Sequence, residues 1–477
     1  MNTNRSSGLI ERLAWRLLGV SWALINVTIL MFLGGVVQGR FFKITTKEEK
    51  AELEAARNRY WSLDREPLPG FRHSFCTLRN GLKLHYVVND RGVEQVKNVA
   101  VFLHGFPDSF LLWRHLLTEE TLQNYLLIAV DLPGYGGSDS LSTYDANQVL
   151  ETVTEFILAM RAQYLKEEHK FIIVSHDWGG LIAARLASEA NQLADRFVIA
   201  AAVIPQHAYS NAVTKYISAL QMLHTYFQRP WKNFSLLKNA YRTVKPILSQ
   251  IRRSFYVFCF NLPYPLPTVF TTFGSFWFLN VVHKSELGLL KPDGQWEREM
   301  SVKEAADFLA MSAGPGTSQT TDVGGQYPEA VKRRLSDHGM SEKIRFYREG
   351  LFGGIWEKSI ETVVALSEIP PSQFRFGSSS SDDLFDSGPP GKLKAPATIL
   401  YGRNDVGFDR RLALDGISDS ISGNSQVVFL DNSGHWLPYE KESRVVLKSI
   451  VEWALGDERS ALKEKLASES VTLLVDQ

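Results

Sequence analysis

The chain has 477 residues, of which 44% are hydrophobic, so it is a globular protein long enough for one large domain with an insertion or for two or three domains. Lysine plus arginine equals aspartate plus glutamate at 52 each, which argues against a nucleic acid or a strongly acidic molecule as the partner. The two cysteines, Cys76 and Cys259, are too few for a disulfide framework or a thiol-based metal site.

The first predicted element is an uncharged run at residues 17–37, about as long as the ~20 residues that a helix needs to span a bilayer. A cleaved secretory signal is the alternative, but the run exceeds the ~7–15 apolar residues typical of a signal peptide. Basic residues flank it: Arg5, Arg12 and Arg16 before, and Arg40, Lys43, Lys47, Lys50, Arg57 and Arg59 after. We expect residues 1–45 to be a single-pass anchor in a lipid bilayer, at the endoplasmic reticulum, with the remaining chain in the cytosol.

The next elements alternate between helix and strand patterns. Residues 46–60 are typical of a helical stalk with charged faces, and residues 72–89 predict a hairpin around Asn80 and Gly81. Short apolar runs then alternate with helical stretches; they lie at residues 98–103, 125–130, 171–174, 197–204, 397–401 and 426–430. This alternation predicts an α/β fold with a mostly parallel sheet flanked by helices.

Residues 206–366 interrupt the predicted sheet with an aromatic, mostly helical pattern. A second, independent helical domain is one interpretation. Because the sheet resumes afterwards, we expect instead a helical cap over the strand ends, inserted between the sixth and seventh core strands. The predicted units are 46–205 for the first part of the core, 206–366 for the cap, 367–394 for a flexible insertion, and 395–477 for the second part of the core with an amphipathic C-terminal tail. Two segments of Ser, Asp, Gly and Pro, residues 314–326 and 377–391, are expected to be poorly ordered.

Residues 174–180, Val-Ser-His-Asp-Trp-Gly-Gly, end one predicted strand and lead into a helix. A sharp strand-to-helix turn through small residues is the nucleophile elbow of α/β hydrolases, and Asp177 stands at its apex, where serine is most common. The alternative is an inactive elbow in which Asp177 only caps the following helix.

An elbow nucleophile needs an acid and a histidine, in the chain order nucleophile, acid, histidine. Asp405 follows one predicted strand and His435 follows the next, so both fit this order behind Asp177. Residues 104–107, His-Gly-Phe-Pro, follow an earlier strand. They predict an oxyanion hole formed by the backbone N–H groups of Phe106 and Trp178.

A carboxylate at the apex points to one kind of chemistry. A serine that attacked saturated carbon would form an ether, which histidine-activated water does not cleave. An aspartate forms an ester, whose carbonyl group water can attack. Asp177 therefore predicts substitution at an epoxide or alkyl halide carbon, followed by hydrolysis of the ester by water. Asp405 would orient His435, and His435 would activate this water.

The motifs at residues 104–107, 175–180, 402–405 and 434–435 resemble those of the α/β-hydrolase-fold epoxide hydrolases, and the resemblance covers about residues 71–453. It implies that Tyr256 and Tyr347 hold the epoxide oxygen, although the family usually has glutamine where Asn261 stands. It also implies an epoxide and water as substrates, a covalent aspartyl ester, a vicinal diol as product, and neither cofactor nor metal. The aromatic cap and the membrane anchor suggest that the epoxide is apolar. Phe106 and Trp178 are expected to contact the substrate.

Two alternatives remain. Haloalkane dehalogenases use the same aspartate, but they typically have Asn or Glu where Phe106 stands, and fluoroacetate dehalogenases have arginine where Trp178 stands. A membrane-tethered binding protein that kept the fold without catalysis is the other alternative, and the presence of all five chemically required side chains argues against it.

Overall fold

The computed structural model describes residues 3–90, 98–166, 168–231, 233–289, 295–321, 326–371, 391–456, 458, 460–466 and 471–476. Its strands are β1 (Arg72–Thr77), β2 (Lys83–Val88), β3 (Val99–Leu103), β4 (Leu126–Val130), β5 (Phe171–His176), β6 (Arg196–Ala200), β7 (Ala397–Gly402), β8 (Gln426–Leu430) and β9 (Val471–Asp476). They form one sheet in the order β1-β2-β4-β3-β5-β6-β7-β8-β9.

The sheet is parallel from β4 across to β8 and antiparallel at both edges. All residues of β3 to β8 are buried, as expected for parallel strands that helices cover on both faces. Side chains of β3 alternate between the two hydrophobic clusters on either side of the sheet: Val101 and Leu103 lie in one, and Ala100 and Phe102 in the other. The predicted α/β-hydrolase fold is confirmed.

The helices before β7 fall into two groups. Those up to β6 are α1 (Thr3–Phe32), α2 (Lys47–Trp61), α3 (Arg114–Leu117), α4 (Ala146–Tyr164) and α5 (Trp178–Glu189). Those between β6 and β7, which we call the inserted helices, are α6 (Pro205–Gln228), α7 (Phe234–Arg253), α8 (Phe255–Phe260), α9 (Leu266–Glu286), α10 (Val302–Ala313), α11 (Thr317–Thr321), α12 (Glu329–Arg333), α13 (Met340–Lys343) and α14 (Ile360–Ser367). The insertion lies between the sixth and seventh strands, as the sequence predicts.

Within the described residues, the α-helices that follow β7 are α15 (Arg410–Ala413), α16 (Lys441–Leu455) and α17 (Leu462–Lys465). The buried side of α16 packs in the cluster on one face of the sheet, while α4 and α5 pack in the cluster on the other face. The C-terminal tail ends in β9, which pairs antiparallel with β8 as an edge strand. The tail therefore completes the sheet.

The predicted stalk is a helix, but its C-terminal end packs against the inserted helices. Thr46 and Glu49 form a capping box at the start of α2, which explains where this helix begins. At its end Trp61 is fully buried, and its indole Nε1 donates a hydrogen bond to the carbonyl oxygen of Ala310 on α10 at 2.9 Å. A large apolar residue at the end of a charged helix buries that end against its neighbour.

The prediction of a poorly ordered segment at residues 314–326 is wrong for its first part. Residues 317–321 form α11, and Gln319 is buried there; its Nε2 donates hydrogen bonds to Glu54 at 2.9 Å and Asn58 at 2.6 Å on α2. Polar composition misled the prediction because these polar groups are paired inside the protein. Residues 322–325 and 372–390, which include most of the predicted flexible insertion, lie outside the described residues.

Candidate active site

The carboxyl ends of the parallel strands bring the motif residues together. The loop at residues 104–107 follows β3, Asp177 follows β5, Asp405 follows β7 and His435 follows β8. Because these strands are parallel and in one sheet, their ends lie at the same edge. Residues separated by more than 300 positions in the chain therefore meet.

Asp177 occupies the turn between β5 and α5 in a strained conformation. Its φ is 51° and its ψ is −118°, outside the regions that non-glycine residues usually adopt. The turn is tight: a Cβ on Gly179 would overlap the carbonyl oxygens of Leu103 and His104. The Asp177 side chain accepts no hydrogen bond from a backbone N–H group of α5, so the alternative in which Asp177 only caps this helix is wrong.

The loop after β3 reaches the nucleophile position directly. The backbone N–H of Phe106 donates a hydrogen bond to Oδ1 of Asp177 at 2.8 Å. Gly105 permits this approach, because a Cβ there would overlap the Asp177 side chain. On the other side of the loop, the Nε2 of His104 accepts a hydrogen bond from the N–H of Leu132 at 3.0 Å, which fixes the loop to the end of β4.

His435 lies between the two carboxylates. Its Nδ1 donates a hydrogen bond to Oδ2 of Asp405 at 2.9 Å, and its Nε2 lies 3.6 Å from Oδ2 of Asp177. Asp405 is held in turn by the N–H groups of Gly407 and Phe408, which donate to its Oδ1 at 2.6 and 3.1 Å. The hydrogen bond to Asp405 therefore orients the imidazole with Nε2 toward Asp177.

The same arrangement sets the charges. Burial lowers the pKa of His435, but the carboxylates of Asp405 and Asp177 outweigh burial and hold its pKa well above the ordinary value. Burial raises the pKa of Asp177, but its hydrogen bond and charge interaction with His435 hold that pKa below the ordinary value. Asp177 is thus an ionised carboxylate facing an imidazolium.

Two tyrosines lie opposite these groups, on the inserted helices. Tyr256 is on α8, and Tyr347 ends the short 3-10 helix Ile344–Tyr347; their ring centroids are 5.8 Å apart. Burial, followed by the charge of Asp177 in the case of Tyr256 and by the phenol of Tyr256 in the case of Tyr347, raises the pKa of each phenol above the ordinary value. Both phenols are therefore protonated hydrogen-bond donors at neutral pH.

A cavity of about 740 Å³ lies between the strand ends that carry Asp177 and His435 and the inserted helices. Its wall includes Asp177, His435, Phe106, Tyr256 and Tyr347, together with Trp22 and Asn26 of α1, and apolar residues of the inserted helices. Trp178 packs behind this wall, with its ring 4.8 Å from that of Tyr347. All five predicted reacting side chains thus face or adjoin one space, whereas Trp178 is buried behind it.

The structure adds residues that support the acid and the histidine and that the motifs did not reveal. Gln250 on α7 donates to the carbonyl oxygen of Gly407 at 2.9 Å and so ties an inserted helix to the Asp405 loop. Glu440 accepts hydrogen bonds from the N–H groups of Gly434 at 2.7 Å and Trp436 at 3.2 Å, on either side of His435. Gln250 and Glu440 lie in ordinary helical patterns, so the sequence holds no local signal for them.

The two tyrosine segments are joined by polar contacts. Arg348 donates to the carbonyl oxygens of Phe260 and, at 2.8 Å, Leu262. Asn261, the position where the resembling family usually has glutamine, donates to the carbonyl oxygens of Val257 at 2.9 Å and Tyr347 at 3.3 Å. The asparagine therefore still links the segment that carries Tyr256 to Tyr347.

One further carboxyl group lies beside the oxyanion loop. Asp108 is fully buried, and neither of its carboxyl oxygens has a hydrogen-bond partner within the described part of the chain. Burial and then the charge of Asp177 raise its pKa, so this group is more easily protonated than an ordinary aspartate. Its only sequence signal is its position directly after the motif at residues 104–107.

Residues 98–243 match the family model described as "alpha/beta hydrolase fold". The AB hydrolase superfamily protein YfhM of Bacillus subtilis (strain 168) is 30% identical over 376 residues, which cover 78% of this chain and 95% of that protein. Epoxide hydrolase 3 of Mus musculus is 30% identical over 200 residues, covering 37% of this chain and 51% of that protein. Epoxide hydrolase 1 of Caenorhabditis elegans is 27% identical over 178 residues, covering 36% and 38%.

The matched regions span about half or less of these two epoxide hydrolases, whereas the match to the bacterial superfamily protein extends over nearly its whole length. The resemblance to epoxide hydrolases expected from the motifs is confirmed at the level of sequence relationship. Within the described residues, no group of three or more His, Cys, Asp or Glu side chains is placed to hold a metal ion.

Proposed function

The chain belongs to the α/β-hydrolase superfamily, and on that premise we propose that it is an epoxide hydrolase, which opens an apolar epoxide with water to a vicinal diol. The observation that carries the proposal is the ionised Asp177 at the elbow, 3.6 Å from His435, facing a cavity that two protonated tyrosines also line. A phenol pair suits an epoxide, because the ring oxygen leaves as an alkoxide and must receive a proton or strong hydrogen bonds.

In the first step Oδ2 of Asp177 attacks an oxirane carbon. A new carbon–oxygen bond forms, and the bond from that carbon to the ring oxygen breaks, with its electron pair going to the oxygen. Tyr256 and Tyr347 donate hydrogen bonds to this oxygen as its charge develops. Oδ1 keeps its hydrogen bond from the N–H of Phe106 and becomes the carbonyl oxygen of the ester.

Esterification prepares the second step electrostatically. It removes the charge of Asp177, one of the groups that raise the pKa of His435. The imidazolium can then release a proton, which balances the proton gained by the opened ring oxygen. His435 becomes the neutral base that the hydrolysis of the ester requires.

In the second step neutral His435 takes a proton from water, and the water oxygen attacks the ester carbonyl carbon. The N–H groups of Phe106 and Trp178 hold the resulting oxyanion. When the bond between this carbon and the alkyl oxygen breaks, the diol leaves with the proton held by His435. The water-derived oxygen leaves Asp177 as a carboxylic acid, whose proton passes to the neutral His435, so that the resting carboxylate and imidazolium are restored. Asp405 keeps the imidazole oriented throughout.

A single turnover in ¹⁸O-water with an aryl epoxide, followed by mass spectrometry of the peptide that contains Asp177, tests this route. We expect water-derived oxygen in the Asp177 carboxylate and none in the diol of that first turnover. Label in the diol with an unlabelled carboxylate would mean direct hydration by water. Steady turnover by Asp177→Asn without deamidation would overturn the assignment of the nucleophile.

A chloroalkane offered in parallel distinguishes the dehalogenase alternative, since chloride release would replace diol formation. A protein that turns over neither substrate class, while folded, would support the non-catalytic binding protein. The matched control for both assays is Asp431→Asn, which removes a carboxylate paired with Arg403 at the protein surface after β8. We expect this control to keep its activity, because exposed ion pairs contribute little.

For location we propose that the segment Arg16–Val37 crosses a bilayer once, at the endoplasmic reticulum, with the catalytic part in the cytosol. The segment contains one helix long and apolar enough to cross a membrane, with a mean hydropathy of 2.1. The excess of basic residues on its C-terminal side supports this orientation. In sealed microsomes, protease should digest the catalytic part from outside; protection until detergent is added would reverse the orientation.

A further inference from the structure

The N-terminal helix α1 packs along the inserted helices. Ala23 and Val27 are buried, and the carbonyl oxygen of Ala23 accepts a hydrogen bond from the thiol of Cys259 on α8 at 3.8 Å. In the π-helix Leu33–Val37 that continues from α1, Gly34 permits contact with Trp277 of α9, because a Cβ there would lie 2.8 Å from the indole ring. Small residues on one face let α1 approach closely, as in packed membrane helices.

This packing places two residues of α1 on the wall of the cavity that contains Asp177. Trp22 and Asn26 lie one turn apart, on the same face of α1 as Ala23 and Val27. Nδ2 of Asn26 donates a hydrogen bond to the carbonyl oxygen of Trp22 at 2.7 Å, which fixes the amide against the helix. The opposite face is exposed and apolar, with Leu24 44% and Ile25 52% exposed.

We propose that Trp22 and Asn26 contact the substrate, so that the membrane-anchor helix is a wall of the active site and determines which epoxides fit. This inference rests on the proposed function. The cavity of about 740 Å³ is much larger than an oxirane ring, so the ring at Asp177 leaves space for a substituent that extends to α1. An indole and neighbouring apolar side chains fit a long alkyl or aryl substituent, and the amide of Asn26 fits a polar oxygen on it.

The position of Trp22 and Asn26 on the cavity wall favours a retained anchor over a cleaved signal at residues 17–37. A cleaved signal peptide would remove Trp22 and Asn26 and expose the buried surface of α8 and α9 that α1 covers. A retained helix completes the cavity. The inserted helices α8 and α9, against which α1 packs, then lie at the membrane together with α1. The helix contacts lipid with its exposed face and the substrate with the other face, which suits epoxides that partition into membranes.

The experiment uses the full-length protein in detergent micelles and compares Trp22→Ala with Leu24→Ala, a truncation on the exposed face of the same helix. The substrates are styrene oxide and 1,2-epoxyoctadecane, a terminal epoxide with a long alkyl chain. For Trp22→Ala we expect the ratio of kcat/KM for the long epoxide to that for styrene oxide to change by about tenfold or more, which is ~1.4 kcal/mol. For Leu24→Ala we expect the wild-type ratio.

Thermal unfolding of each variant shows whether it is folded. If the Trp22→Ala variant does not fold, Trp22→Phe and Asn26→Leu make smaller changes to the same wall of the cavity. Each of these should still shift the ratio of kcat/KM between the two epoxides. An unchanged ratio in folded variants at both positions overturns the inference and leaves the proposed function intact. A wild-type protein that hydrolyses neither epoxide overturns the proposed function, and the inference with it.

Discussion

Replacing Asp405 by asparagine should separate the two proposed chemical steps. Oδ1 of Asp405 accepts hydrogen bonds from the N–H groups of Gly407 and Phe408, while Oδ2 accepts one from Nδ1–H of His435. An asparagine that keeps the first two bonds turns its NH₂ group toward His435. The imidazole must then accept at Nδ1 and carry its proton on Nε2, where it is unable to take a proton from water.

Losing the Asp405 charge lowers the pKa of His435, because this carboxylate is one of the groups that hold that pKa above the ordinary value. The wrong tautomer sets the magnitude: catalysis slows about 10⁴-fold where the acid of a Ser-His-Asp triad becomes an amide. We expect ester hydrolysis to slow by that order, and ester formation to change far less, because Asp177 and both tyrosines keep their contacts.

Rapid quench followed by mass spectrometry of the intact protein measures both steps. We expect the Asp405→Asn variant to accumulate an adduct of the mass of the epoxide on Asp177, with a burst of one equivalent, whereas the wild type shows little. Equal slowing of both steps, with no adduct, would refute this account of Asp405.

The pH dependence provides a second readout. The raised pKa of His435 reflects the two carboxylates, and hydrolysis requires neutral His435, so the rate rises with pH through the pKa that His435 has in the ester. Removing the Asp405 charge lowers that pKa, so the acid limb of the variant moves to lower pH. A shift to higher pH would contradict the assigned electrostatics. The raised pKa values of both tyrosines put the alkaline limb above about pH 10.

Three further substitutions test the site and the packing. Tyr347→Phe removes one of two phenol donors, so kcat/KM should fall on the order of 10²-fold with an unchanged melting temperature; an unchanged rate would remove Tyr347 from the mechanism. Gly105→Ala places a Cβ in the space of the Asp177 side chain, so a folded variant should be inactive toward epoxides, and full activity would contradict the tight loop. Trp61→Phe loses the hydrogen bond to α10 and should lower the free energy of unfolding by about 1–2 kcal/mol. The control Trp231→Phe, at a residue that is 98% exposed, should leave the free energy of unfolding unchanged. Equal effects of the two substitutions would show that Trp61 is not a packing contact.

Much of the site follows from the sequence because the motifs are local. The elbow around Asp177 needs small residues at fixed offsets, and strand ends carry Asp405 and His435 in a characteristic order, so short patterns reveal both. The α/β fold is equally local in origin, since fully apolar strands alternate with helical patterns. Composition was a weaker guide: it marked residues 314–321 as poorly ordered, although Gln319 is buried and paired with α2.

Tertiary structure alone decided how separate segments meet. The 3.6 Å between His435 and Asp177 depends on strand pairing across the sheet, and the contact between the Tyr256 and Tyr347 rings depends on how two inserted segments pack. The sequence indicated α1 as a membrane anchor because its length and apolar composition are properties of one segment. Its position on the cavity wall arises from packing against helices more than 200 residues away, which no local pattern encodes.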